Sequence, residues 1–302
     1  MIKRIIEVSS EPVHLSIRHK QLVLTPKRDD GESKTMPIED LGLIVVDQGQ
    51  ATYTHAALIS LLENGTILLC CDGRHLPAGM LLPLSKHSEV RQRLDIQIRA
   101  GLAAKKRIWQ SLVRAKIQGQ AANLTHDTTA QKKLLASVSR VKSGDTQNME
   151  AHAARVYWGT WLRNRNTFSR DPNGKDHINL FLNYGYSIAR AALAREIVMA
   201  GLQPALGVHH RNRSNPFCLA DDLIEPIRPI VNRKARECVE MGHDKLNRDT
   251  KGRLLEVLYD SVQNGDQVSP LWIALCGMVS SYVKCIVGGN RKLTVPVFRS
   301  NG

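Results

Sequence analysis

The sequence predicts an α+β protein in two parts: a small N-terminal β-sandwich-like domain over residues 1–80, and a larger all-α C-terminal domain over residues 81–302. Two patterns predict it. Apolar residues alternate with polar ones through the first eighty positions, then recur at helical spacing from about Lys86 onward. A chain of 302 residues is also long enough to bury a full core in this arrangement.

Val13, Leu15 and Ile17 alternate with polar residues, and Leu22 and Leu24 resume the pattern after a turn near His19-Lys20, which is a hairpin signal. Leu43 to Val46 and Thr66 to Cys71 are apolar runs of strand length. Between them, His55 to Glu63 places Leu58, Leu61 and Leu62 on one helical face, closed by Asn64-Gly65. Pro77-Ala78-Gly79 opens a last strand and Pro83 ends it. From there Val90, Leu94, Ile98 and Leu102, then Ile108, Trp109, Leu112 and Val113, mark apolar helix faces. Helical patterns continue to about Val287, interrupted by turns at Asp171-Pro172-Asn173-Gly174 and at Gly265. The basic end from Gly288-Gly289 lacks apolar periodicity and reads as loose.

The net charge is +14. A surplus of that size creates a field that attracts polyanions, nucleic acid first among them. Nine basic residues fall between Lys86 and Lys116, opposed only by Glu89 and Asp95. Taken alone, such a run is more often a solvated helix face than a phosphate-binding one. The six cysteines form no C-x-x-C pair, so buried free thiols explain them better than disulfides or zinc. No signal-peptide region follows Met1-Ile2-Lys3-Arg4, and no uninterrupted apolar run reaches the length of about 18–20 residues that a membrane span needs. A cytoplasmic protein with no membrane partner is the expectation.

One constellation points to chemistry. A Pro/Gly turn ends in His209-His210 and leads through Arg211 and Arg213 into a predicted helix carrying Asp222 and Glu225, three residues apart on one face. Two carboxylates facing a histidine-bearing turn make a mixed oxygen and nitrogen donor set for a divalent ion. A third carboxylate, Glu150, sits at the edge of the helical stripe Met149, Ala153, Val156, Tyr157 and Trp161. Taken singly, each has a plainer reading: a solvated glutamate, a structural histidine.

The same residues carry a resemblance. Gly207-Val208-His209-His210-Arg211-Asn212, followed by Leu219-Ala220-Asp221-Asp222-Leu223-Ile224-Glu225-Pro226-Ile227-Arg228-Pro229, resembles the signature of the universal CRISPR integrase family, within it the type II branch. Asn148-Met149-Glu150-Ala151 and Ile178-Asn179-Leu180-Phe181-Leu182-Asn183-Tyr184-Gly185-Tyr186 resemble two further motifs of that family, in the same order. The resemblance implies that Glu150, His210 and Glu225 are both metal ligands and catalytic residues, with Asp222 supporting them from behind. His209 occupies a position that is ordinarily apolar in the family.

The implied cofactor is Mg2+ or Mn2+. The implied reaction is DNA strand transfer, which inserts prespacer 3′-hydroxyl ends into the CRISPR repeat, with endonuclease activity when water replaces the hydroxyl. The implied partners are double-stranded DNA, a second copy of the chain joined through the N-terminal domain, a small ferredoxin-like companion protein, and other proteins of a type II system. Arg211 and Arg213 become candidate DNA contacts. Two other readings compete: a metal-dependent repair or junction nuclease that shares the ligands, and a non-catalytic nucleic-acid scaffold that leaves them unexplained.

Overall fold

The computed structural model describes residues 3–28, 31–84, 87–162, 168–288 and 292–297; Met1, Ile2, Lys86 and Gly289, named above, lie outside them. Strands β1 (Arg4–Val8), β5 (Leu41–Val46), β7 (Ile67–Cys71) and β8 (Pro77–Leu81) form one sheet in that order, parallel except for β8. A second sheet runs β4 (Lys34–Pro37), β3 (Gln21–Pro26), β2 (Val13–Arg18), β6 (Thr52–Tyr53). The β2–β3 hairpin pairs Leu15 with Leu24 and Ile17 with Leu22. Its two-residue loop has positive φ at both His19 and Lys20, the geometry whose twist matches antiparallel strands. Helix α1 (His55–Glu63) starts on Thr54, whose hydroxyl accepts from Ala57 N, and is followed by Gly65 at φ +74°.

The two sheets face each other across a core of Val13, Leu15, Leu22 and Leu24 against Ile44, Val46 and Leu68. Leu43, Val45, Ile67 and Leu69 point the other way, into the core of the helical part. Both faces of β5 are therefore buried, which is why β5 and β7 read as continuous apolar runs rather than alternating ones.

The helices are α2 (Val90–Arg99), α3 (Leu102–Ala122), α4 (Thr128–Val138), α5 (Met149–Thr160), α6 (His177–Met199), α7 (Cys218–Leu223), α8 (Arg228–Glu240), α9 (Arg248–Leu255) and α10 (Leu271–Gly288). Helix α6 is buried along most of its length and packs on α8. At the crossing Gly185 leaves no room for a Cβ, which would lie 2.6 Å from Val231 Cγ1.

Three expectations need correction, on the all-α C-terminal part, on α2 and on the chain's end, and the one on membrane spans is qualified by α10. The C-terminal part is not all-α, because β9 (Ser261–Asn264) and β10 (Gln267–Pro270) form a hairpin closed by Gly265-Asp266, a two-residue hairpin loop with Gly265 at φ +63°. The apolar spacing from Val90 to Leu102 does not mark a buried face: Val90 and Ile98 on α2 and Leu102 at the start of α3 are exposed. Helix α10 is long and apolar enough by length and composition to cross a membrane, although Ser280, Ser281 and Lys284 interrupt its apolar run. Its Leu271, Trp272, Leu275, Met278 and Tyr282 are buried in the core. Within residues 292–297 near the chain's end, Leu293 is buried and Val297 bridges to Gln263, so these residues are docked. All six cysteines are free; Cys218, Cys238 and Cys285 are buried, whereas Cys276 is exposed.

Candidate active site

Helix α5 begins in a tight turn in which Gly144, Asp145 and Asn148 all have positive φ. The Asp145 carboxylate accepts from Met149 N and Glu150 N, both at 2.9 Å, satisfying donors that the first helical turn leaves open. With Met149, Ala153 and Tyr157 buried, this fixes Glu150 in the first turn, at the edge of the core.

Glu225 is not on α7, as a shared helical face with Asp222 required. The helix ends at Leu223, and Glu225 lies in the turn leading to α8. It is 6% exposed and accepts from Arg228 Nε at 2.8 Å. Arg228 in turn lies over the Tyr186 ring, 4.6 Å from its centroid. The Tyr186 hydroxyl donates to Asn232, whose amide donates to the Tyr157 hydroxyl at 3.1 Å. Asn123 donates to the same hydroxyl at 3.0 Å. Buried polar groups on α5, α6 and α8, and at the end of α3, are thus joined beneath the site. Of the Asn-x-x-Leu-Asn-Tyr-Gly-Tyr segment, Asn179 and Asn183 accept from the Arg170 guanidinium at 2.9 and 2.6 Å.

Asp222 is wholly buried and organises the histidine turn. Its carboxylate accepts from the backbone N–H groups of Val208, His209 and His210 at 2.6, 3.0 and 3.1 Å, and from His210 Nδ1 at 2.6 Å. Gly207 is needed there, since a Cβ would fall 2.6 Å from His210 O and 2.8 Å from Asp222 Oδ2. The bond to Asp222 raises the His210 pKa and keeps the ring proton on Nδ1, leaving Nε2 as the free donor atom. His209 stacks flat on Trp109 of α3, with centroids 4.0 Å apart and an interplanar angle of 3°. Burial lowers the His209 pKa. His210 lines a cleft of about 470 Å³ with Arg74, Tyr186, Arg190, Asp221 and Arg228.

Sequence reasoning missed Lys116. It was counted in the basic run, yet it is 8% exposed, and its Nζ donates to both Glu150 and Glu225. The signal was present: Trp109, Leu112, Val113 and Lys116 share one stripe of α3, so this lysine occupies a core-facing position. Burial works against the charge of Glu225, but Lys116 and Arg228 overcome it and hold the carboxyl at about 2. Lys116 stays charged in spite of burial because both glutamates face it.

Glu150 and Glu225 thus meet at one cation, although they come from separate elements. Among the described residues, no three His, Cys, Asp or Glu side chains are gathered closely enough to hold a metal as they stand. The ammonium of Lys116 stands in for a cation between the two carboxylates, so their oxygens fit a divalent ion once it is displaced. His210 lies in the cleft that also contains Arg228, the partner of Glu225. Arg211 and Arg213 are exposed immediately after it.

The sequence profile of the family described as CRISPR associated protein Cas1 matches residues 6–255. The chain belongs to the Cas1 family. A CRISPR-associated endonuclease Cas1 of Neisseria meningitidis serogroup C (strain 8013) is 36% identical over 282 residues, covering 92% of this chain and 90% of that one. Among solved structures, a casposase bound to an integration product is similar in fold to this Cas1 chain. Its TM-score is 0.80 at 19% identity, over 96% of this chain and 92% of that one. A chain of a Cas6-RT-Cas1–Cas2 complex is similar with a TM-score of 0.75 at 18% identity, over 97% of this chain and 36% of that longer one.

Proposed function

We propose that this Cas1 protein is a metal-dependent DNA integrase that inserts 3′-hydroxyl ends into a CRISPR repeat and nicks DNA when water takes the hydroxyl's place. The observation that carries the reading is the meeting of Glu150 and Glu225 at one buried cation, in a chain whose near-full-length relative is called an endonuclease; Arg228, which pairs with Glu225, shares a cleft with His210. Glu150, His210 and Glu225 would hold Mg2+ or Mn2+. When bound, such an ion supplies Lewis acidity at a phosphodiester.

The chain's own residues supply the rest. Asp222 keeps the His210 proton on Nδ1 and the ring oriented. Arg228, stacked on Tyr186, adds positive charge at the wall of the cleft, where charge builds up on the phosphate. Arg211 and Arg213 sit where an approaching strand would meet them, in a chain of net charge +14. In the reaction the 3′-oxygen of the incoming end bonds to phosphorus, and the bond to the target's 3′-oxygen breaks. That oxygen leaves with a proton, so no protein nucleophile is needed.

The fold likeness to a chain from a Cas1–Cas2 complex supports a small ferredoxin-like companion as partner. Homodimers formed through the N-terminal sheets complete the assembly. The His209-His210 pair supports a type II system, and the free thiols support a cytoplasmic setting. A strand-transfer assay with and without Mg2+ or Mn2+, on recessed and on 3′-blocked duplexes, tests this. Metal-dependent joining of the recessed ends only is expected. Cutting without any joining would favour a repair or junction nuclease, and neither activity would leave a binding scaffold.

A further inference from the structure

We propose that Lys116 is a built-in counter-cation that makes metal occupancy of this site depend on bound DNA. The inference rests on the metal-dependent reading above and concerns how that site is regulated. Lys116 is buried on the core-facing stripe of α3, and its ammonium is held by Glu150 and Glu225 together. The charged groups facing it are those two carboxylates and Arg228. Two negative and two positive charges cancel, so the metal-free site is neutral.

A divalent ion entering between the carboxylates must push the ammonium aside; the site is then two charges positive while Lys116 stays beside it, and one charge positive once Lys116 has left. Uncompensated charge in a buried site is strongly disfavoured. A DNA phosphate in the adjoining cleft supplies the missing negative charge and a new partner for the displaced Lys116. The lysine side chain suits this exchange, being a point charge on a flexible stem rather than a fixed fork. Metal and DNA therefore favour each other, and by linkage each raises the affinity of the other by the same factor. Lys116 acts here as a positioning residue: it keeps the carboxylates together and discourages metal until substrate is present.

The test measures Mn2+ binding by calorimetry, with Mn2+ alone and with a saturating 3′-dideoxy-terminated duplex, for wild type, Lys116→Gln and Lys116→Arg. Wild type is expected to bind Mn2+ about tenfold more tightly with the duplex, within the usual range of coupling between sites. Lys116→Gln should bind Mn2+ about tenfold more tightly than wild type without DNA and lose most of the DNA-induced gain. Lys116→Arg should keep much of the gain. Equal Mn2+ affinities for wild type and Lys116→Gln without DNA, with an unchanged gain in both, would overturn the role of Lys116 and leave the metal reading intact. No Mn2+ binding by any variant under either condition would overturn the metal reading and this inference with it. Should Lys116→Gln fail to fold, the reciprocal measurement on wild type decides: duplex affinity that does not rise with Mn2+ overturns the coupling.

Discussion

Four donors converge on the buried Asp222 carboxylate, three from backbone N–H groups and one from His210. Removing the acceptor strands the buried Val208 N–H, at roughly 1–3 kcal/mol, while the His209 and His210 donors can turn to water. Asp222→Ala should therefore lose about 1–3 kcal/mol of stability, read by urea denaturation, as well as strand transfer. Arg211 is exposed and has no ion-pair partner among the described residues, so it is free to meet a phosphate. In a salt titration of duplex binding, Arg211→Ala should reduce the slope by about one unit. The meeting of Glu150 with Glu225 and the pairing of Asp222 with His210 involve residues that the sequence singled out because each lies in an ordered motif. Lys116 was not singled out, because a lysine in a basic run looks solvated until its place on the stripe of Trp109, Leu112 and Val113 is weighed. That Glu225 lies beyond α7 was hidden as well, since a three-residue spacing reads alike in a helix and in the turn that follows it.

Among the elements, those with a strong period or a marked turn were read directly: the β2–β3 hairpin, α1, and the buried runs that became β5 and β7. The β9–β10 hairpin escaped because each strand has four residues and only Val262 is buried, too short a pattern to stand out between helices. Helix α2 misled in the opposite sense, since its apolar spacing is real while Val90 and Ile98 on it are exposed. Packing between α6 and α8 depends on the absence of a side chain at Gly185. Gly185→Ala would put a Cβ 2.6 Å from Val231 Cγ1 and force the two helices apart. Overpacking of this kind costs about 1–3 kcal/mol, so a lower thermal midpoint is expected, and Gly185→Ala with Val231→Ala should recover part of it.

At the scale of the whole molecule, the β part and the helical part share one core and are also joined by a buried ion pair. Lys251 on α9 donates to Asp47 just beyond β5, and both side chains are under 5% exposed. Beside them sits Glu7, whose Oε1 is buried without a hydrogen-bond partner among the described residues. Burial raises the Glu7 carboxyl above its ordinary 4.5; Asp47 adds to this, and Ser9, Lys251 and Arg248 only partly oppose it. A carboxyl raised by folding contributes stability that is full below 4.5 and lost as pH rises through the folded value. Glu7→Gln cannot ionise, so it should melt above wild type at neutral pH, with the gap closing towards pH 4. An equal gap at all pH values would mean that Glu7 contributes through shape alone.

The claim at the centre of this account is that the carboxylates meeting at Lys116 belong to a DNA-joining centre. The most direct test is strand transfer of a recessed 3′-hydroxyl duplex by wild type and Glu225→Gln in Mn2+, with duplex affinity measured separately in metal-free buffer. Glu225→Gln keeps the shape of the side chain and removes its charge, while most duplex affinity should come from lysines and arginines elsewhere. Loss of joining with duplex affinity retained is the predicted result; joining at the wild-type rate would contradict the account.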